Sequence, residues 1–563
     1  MIFRGGWCNF CDLCKPSKIP ANLGNYKTAR EKIMMRKVKT DGRAGVMKNW
    51  LRREAWAMLF LGFSAGLPIL LIFSTLSVWL REAGVEKSSV TFFSWAALGY
   101  SFKFLWAPLV DLLPLPVLTA RLGRRRAWML IAQFAVAFSI VGMSFINPQD
   151  GRQLSLVMMA FAAVALGFSS ATQDIVIDAY RIESAEASLQ AFLSSMYIAG
   201  YRIGMIAAGA GSLFLADSLG TSAAHYDYGS WQVTYLAMAA LMGVGVCTTL
   251  CIPEPVVERS VQNKFGAGEY RQIIIFFLIC VSVFAVSFFY GGALLKDAVS
   301  FERGVAQFLF EALRFAFSLL LASGAAMMLI RLGVIKKEMV RHSYVDPVLD
   351  FFTRYGTRVA LILLLLIGFY RLSDIVLGVI SNVFYLDMGY SKTQIATAAK
   401  TFGLLMTLLG GFLGGLLTLR YGVYAILMLG AVLSSLTNLL FMLLASVDAQ
   451  IAFLTSFFGA DFAAAFQSVE LYAVIGADNL AAGIATTAFV AFLSSLTGVS
   501  FTAVQYAIFS SLMTLIPKVV GGYSGTLVEG FGYSGFFLST AVMGVPVILL
   551  VWLVKKMIEK GAV

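Results

Sequence analysis

Long apolar stretches recur from Trp56 to Val554, each close to the length of one bilayer crossing and each interrupted by a short polar or basic loop. About 20 apolar residues, rising 1.5 Å each, traverse the hydrocarbon core, so every such stretch predicts one membrane-spanning helix. Six fall near residues 54–80, 88–110, 125–146, 154–180, 189–215 and 232–252. Two more lie near 272–295 and 306–331, and a second set of six near 359–386, 393–419, 422–446, 470–496, 500–519 and 534–554. The pattern predicts an all-α polytopic membrane protein of about 14 transmembrane helices. It divides the chain into a basic tail (1–53), a six-helix bundle (54–252), a linker with an inserted two-helix hairpin (253–358), a second six-helix bundle (359–554) and a short tail (555–563).

The loops add a direction. Arg121, Arg124, Arg125, Arg126, Lys336, Lys337, Arg341, Arg354, Arg358 and Arg420 all fall on one side, with Lys555, Lys556 and Lys560. The opposite loops hold few basic residues. The positive-inside rule therefore predicts an even number of spans with both termini cytoplasmic. Composition agrees, with 59% hydrophobic and 13% charged residues and a mean hydropathy of +0.81, values foreign to a soluble globular domain. The formal charge of +12 comes largely from these loops, so it reports orientation rather than a nucleic-acid partner.

The two sets of six look related. GFSAGLP (Gly62 to Pro68) precedes WLREAG, and about 306 residues later GFYRLSD (Gly368 to Asp374) precedes YLDMG. Parallel six-helix repeats resemble the major facilitator architecture, whose substrate site lies at the midplane between halves. Asp111 and the run Gly123 to Arg126 resemble the cytoplasmic loop signature of that superfamily, an acid and basic residues that clamp the inward face. Asp111, Arg124, Arg125 and Arg126 are therefore gating candidates, with Gly414 to Gly422 as their echo in the second half; the competing reading is a positive-inside anchor.

Charges inside the spans single out the chemistry. Thr172 to Glu183 reads TQDIVIDAYRIE, which puts Asp174, Asp178 and Arg181 on one helix face beside Gln173. A charge inside a bilayer costs roughly 2.5 to 3.5 kcal/mol on insertion scales, so it marks a pathway or a proton site by default. Asp174, Asp178, Asp374 and Asp478 are the candidate proton carriers. Gln173, Lys103, Arg202, Arg371 and Lys400 are the candidate substrate contacts, with static pairing or snorkelling as the alternative. Arg202 lies mid-span beside Gly200, Gly204 and Ala208, with Asp174 its nearest partner in sequence. Asp178 and Arg181 approach the helix end, where a solvated terminus competes. Pro68 and the Gly62–Gly66 pair predict a broken first helix. Trp79, Phe92, Phe93, Trp95 and Tyr100 are aromatic enough to stack on sugar rings, although Trp79 fits an interfacial belt better.

Other chemistries lack parts. Cys8, Cys11 and Cys14 form a CxxCxxC without a fourth ligand, and His occurs only at His225 and His342, so no metal or other cofactor is expected. GYSG at Gly522 to Gly525 and Gly532 to Gly535 looks like a protease nucleophile without a general base. No P-loop or HExxH is present. A transporter, not an enzyme, is expected; a non-transporting sensor is the other class to test.

Across roughly residues 55–255 and 359–550 the chain resembles the AmpG family of anhydromuropeptide permeases, within the major facilitator superfamily. The likeness runs through LGFSAGLPI, FKFLWAPLVD, GRRRAWMLIAQ, ATQDIVIDAYR, GYRIGMIAAGAG, SDIVLGVISNVFYLDMGYS, AKTFGLL, DNLAAGIATTAFVAFLSSL and SFTAVQYAIFSSL. The resemblance implies proton-driven import of N-acetylglucosaminyl-1,6-anhydro-N-acetylmuramyl peptides through a bacterial inner membrane, for peptidoglycan recycling linked to β-lactamase induction. It also adds Gln505 to the substrate contacts and places Gln173, Asp174, Asp178, Arg202, Asp374 and Lys400 in matching motifs. A related acetyl-CoA carrier, which shares the QD of span four, is the alternative.

Overall fold

The computed structural model describes residues 52–85, 100, 102–150, 153–186, 189–222, 225–255, 266–296, 305–390, 392–446, 460–521 and 523–559. Every regular element among them is helical. Thirteen helical stretches among the described residues are long and apolar enough to cross a membrane. The expected span near 88–110 falls largely outside the described residues, as do Cys8, Cys11, Cys14, Phe92, Phe93 and Trp95.

The described residues form two compact units, one within 261–349 and the other within 41–260 and 350–563. In the smaller unit α11 (Ala267–Lys296) packs on α12 (Val305–Arg331), with the rings of Phe284 and Phe315 edge to face at 5.4 Å. A short α13 (Lys337–Val340) and a π turn (Arg341–Val345) follow, and Lys336 pairs with Glu269.

The larger unit holds both sets of spans. Its first half contains α1 (Arg53–Ile72), α2 (Ser74–Glu82), α3 (Ala107–Leu112), α4 (Leu118–Leu122), α5 (Arg124–Ser144) and α6 (Gln153–Ser184). It continues with α7 (Gln190–Ile206), a π turn (Ala207–Gly211), α8 (Ser212–Ser218), α9 (Tyr228–Leu241) and α10 (Gly243–Cys251). After α14 (Asp346–Tyr355), the second half contains α15 (Thr357–Phe369), α16 (Leu372–Asp387), α17 (Lys392–Ile395), a π turn (Ala396–Phe402) and α18 (Gly403–Tyr421). It ends with α19 (Val423–Leu444), α20 (Ala460–Leu496), α21 (Thr502–Gly521) and α22 (Ser524–Glu559). Successive spans run in opposite senses, so Asp111, Arg124–Arg126, Glu183 and Glu254 meet at one end, called here the basic end.

Small residues decide which helices come closest. α1 and α7 interlock: a Cβ added at Gly62 or Gly66 would collide with the backbone of Tyr197 or Tyr201, and one at Gly200 or Gly204 with that of Leu59 or Phe63. In the second half α18 and α20 interlock likewise, where Gly410 meets Leu480 and Gly483 meets Thr407. Close backbone approach is how helices associate where lipid supplies no hydrophobic drive between them. The first helix breaks at Phe73 rather than at Pro68, which stays inside α1. Trp79 is wholly buried, stacked on Trp231 at 5.7 Å, so it belongs to the core and not to an interfacial belt.

Candidate functional site

Two groups of charges lie near mid-helix, one in each half. In the first, α6 presents Asp174 and Asp178, both buried, as the TQDIVIDAYRIE spacing predicts. Lys103, in a 3-10 turn before α3, is 3.8 Å from Asp178, and Arg181 is 3.3 Å from the same carboxylate. Tyr197 of α7 donates to Asp174 at 3.5 Å. Gln173 turns the other way and donates to Ser64 of α1 at 3.0 Å.

Arg181 departs from the expected solvated helix end. It is fully buried, and its guanidinium donates to Ser194 (3.0 Å) and Gln190 (3.2 Å) in its own half. It also donates to Ser494 (2.9 Å) in the other half and lies over the ring of Tyr506 at 5.3 Å. Burial of this arginine is offset by the acceptors crowded on Nη1, by Asp178 at Nη2 and by the Tyr506 ring, while Nε makes no hydrogen bond.

In the second half Arg371 occupies the break between α15 and α16. Its Nη1 donates to Thr486 of α20 at 2.8 Å, while its Nε is 3.8 Å from Asp374. The hydroxyls of Ser373 and Ser434 lie beside Asp374, Asp478 accepts from Thr437 at 3.1 Å, and the two carboxylates lie within electrostatic reach of each other. Arg202, mid-way along α7, is not paired with Asp174; its described polar contact is Met205 Sδ at 4.0 Å. Lys400 sits in the π turn before α18, and its side chain lies outside the described residues.

At the basic end Asp111 and Arg125 form a charged cluster. Arg125, 1% exposed, donates to Asp111 at 2.7 Å and to both oxygens of Glu183 at 2.6 and 3.0 Å. The other Asp111 oxygen accepts the backbone N–H of Val504, in the first turn of α21 in the opposite half. A carboxylate there satisfies an orphan donor and complements the helix dipole. Arg124 donates to the Asp111 carbonyl, and Arg126 to the carbonyls of Thr249 and Leu250. Glu254 accepts the Arg125 and Arg126 amides at 2.8 and 3.1 Å, yet burial still pushes its carboxyl above the ordinary range.

The expected echo at Gly414 to Gly422 does not form a matching cluster, because Arg420 is exposed and lies over Tyr421. The second half instead uses α14, where Asp350 and Arg354 pair at 2.8 Å. Gln505, grouped by sequence with the substrate contacts, belongs here: it accepts from Arg354 and donates to Asp350, each at 2.8 Å. The i, i+4 acid–base spacing of Asp350 and Arg354 is a signal that sequence reading passed over. Glu183, Tyr197, Ser494 and Tyr506 carried no comparable signal.

Among the described residues, three hydrogen bonds join the two halves: Arg181 to Ser494, Val504 to Asp111, and Ser195 to the Gly411 carbonyl at 2.9 Å. All lie between the helix centres and the basic end, where α7 packs on α18 and α20, and α21 packs on α3 and α6.

Comparison with known proteins agrees with this architecture. The Rickettsia felis protein named AmpG 4 is 29% identical over 500 residues, covering 89% of this chain and 96% of that one. The anhydromuropeptide permease of Escherichia coli K12 is 28% identical over 503 residues, covering 89% and 80%. This chain is similar to the AmpG permeases. A family model described as acetyl-coenzyme A transporter 1 matches residues 55–226. Among solved structures, the proton:xylose symporter XylE superposes with a TM-score of 0.52 at 15% identity, covering 89% of this chain and 94% of that one. A bacterial homologue of ferroportin gives 0.51 at 10%, covering 90% and 100%. The likenesses to solved structures establish the major facilitator fold, in keeping with the thirteen candidate spans of a multi-pass membrane protein.

Proposed function

We propose that this chain is a proton-coupled permease that carries anhydromuropeptides from periplasm to cytoplasm. That flux would feed peptidoglycan recycling and, through it, β-lactamase induction. The observation that carries the reading is the similarity to an anhydromuropeptide permease over 89% of the chain, which takes in the charged centres of both halves. A muropeptide brings several carboxylates and a disaccharide. Arg202 and Arg371 suit the carboxylates, with Lys103 and Lys400 as further cations, through charge-assisted bonds. Gln173, bound to Ser64, contributes from within the first half; Gln505 is better assigned to the closed end.

The proton would move through Asp174, partnered by Tyr197 and neighboured by Lys103 and Asp178, or through Asp374 and Asp478. Buried carboxylates that share a site cannot all stay ionised cheaply. Asp111, Arg124, Arg125 and Arg126 act as the cytoplasmic clamp, with both termini on that side. The hydrogen bonds between halves near the basic end then correspond to a conformation closed to the cytoplasm.

Uptake of labelled anhydromuropeptide into energised vesicles, with and without an uncoupler, tests this. Accumulation abolished by the uncoupler and by Asp174→Asn is expected; accumulation indifferent to the uncoupler would refute proton coupling. The match of residues 55–226 to an acetyl-CoA transporter model favours a second reading. Competition of uptake by CoA thioesters would select it.

A further inference from the structure

Among the central cations whose side chains are described, Arg202 is the one without an acidic partner. Lys103 and Arg181 share Asp178, and Arg371 has Asp374, whereas Arg202 reaches only a methionine sulfur. The charged group that acts on it most is a second guanidinium, that of Arg371, from the other half. Both side chains are only partly buried, so neither is sealed in a packed core. Arg371 is also incompletely satisfied: its Nε has no hydrogen bond, because 3.8 Å to Asp374 is too long for one. α7, which carries Arg202, packs on α20, to which Thr486 ties Arg371, and like charges within electrostatic reach repel until an anion lies between them.

We propose that Arg202 and Arg371 together form a site for a single carboxylate group of the transported molecule, bridged between the two halves. A carboxylate has two oxygens and about four acceptor positions, enough to serve one guanidinium from each side. Arg202 rides on α7, which packs against α18 and α20 of the second half; Arg371 is tied through Thr486 to that same α20. Filling the site therefore replaces a repulsion between halves by two attractions to a shared anion. It favours their approach at this level, as alternation of access between two repeats requires. The inference rests on the muropeptide reading only for the identity of the carboxylate's owner.

Thermal unfolding of the purified full chain tests both parts. Without ligand, Arg202→Gln is expected to raise the Tm, since it removes an unanswered charge, whereas Arg371→Gln is expected to lower it by stranding Asp374. A lower Tm for Arg202→Gln would show an internal partner and overturn the site. With 1,6-anhydro-N-acetylmuramyl tripeptide as probe, the wild type should bind the free acid at least about tenfold more tightly than the carboxamide. Each Gln variant should lose that preference, and Arg202→Lys should keep part of it. Equal binding of acid and amide by wild type, or a preference that survives both Gln variants, overturns the proposal. Stabilisation by citrate but not by either tripeptide, lost in both Gln variants, would uphold the carboxylate site and sink the muropeptide reading instead.

Discussion

The two halves of the larger unit answer the same demand differently. In the first, α1 interlocks with α7, and Asp174, Asp178 and Arg181 follow one another along α6 toward the basic end. In the second, the interlocked pair is α18 with α20, and Arg371, Asp374 and Asp478 are surrounded by the hydroxyls of Ser373, Ser434, Thr437 and Thr486. Asp178 of the first half takes two cations, Lys103 and Arg181, whereas Arg371–Asp374 is the central ion pair described in the second, the neighbouring groups there being hydroxyls. The basic end repeats the contrast: Arg125 is buried between two acids, whereas Arg354 and Asp350 are 25% and 31% exposed in side chain. Among the described residues, the backbone contact of α1 with α7 is thus not reproduced between α15 or α16 and α21, where Gly368 and Gly521 meet side chains first.

The largest test of that difference is steric. Gly200→Val should abolish recovery of folded protein, because the colliding atoms at α1 are backbone and cannot step aside. Gly483→Val should do the same in the second half, while Gly243→Ala, with nothing within 4 Å, should leave yield and Tm unchanged. Tolerance of Gly200→Val beside intolerance of Gly483→Val would mean that only one half depends on close approach. Next in size is the clamp. Arg125→Ala strands two buried carboxylates and should cost about 3 to 5 kcal/mol, against about 1 kcal/mol or less for Arg354→Ala. Chemical unfolding of the two variants should show the gap, and equal losses would erase the contrast. Smallest is the pH response of Glu254. Its native carboxyl holds a proton more tightly than the unfolded one, so its contribution to stability falls as pH rises from about 4.5 through the native value. Glu254→Gln should flatten that slope in unfolding measured from pH 4 upward, roughly the ordinary carboxyl range.

What could be read from the chain was what lies close along it. The acids of α6, the Arg371–Asp374 spacing and the small-residue face around Gly200 follow from helical periodicity. Arg181 did not, because its burial depends on Ser494, 313 positions away, and on Tyr506. Arg202 was assigned Asp174 because α6 precedes α7, yet Tyr197 is the α7 residue that reaches it. Arg420 stood in the expected place for a clamp, but nothing in a linear motif says that α14 supplies Asp350 instead. Trp79 looked interfacial by its position near a span end; its ring partners, Trp231 and Tyr235, lie beyond the reach of local pattern.

The π turn Ala207–Gly211 has a mechanical consequence. A helix with such a turn carries one residue more than its length requires, like a screw with a stripped thread, and each residue of phase is worth about 100° of rotation. The surplus lies opposite the break at Phe73 in the partnering helix, where Thr75 Oγ1 donates to the Ala208 carbonyl at 2.8 Å and its hydroxyl meets that of Ser212 at 3.2 Å. A kink in one rod is thereby met by a slipped turn in the other. Beyond Gly211 the crossing is registered on α2, while Gly200 and Gly204 below it are registered on α1, so one membrane crossing keeps two registers joined by a single step of the thread.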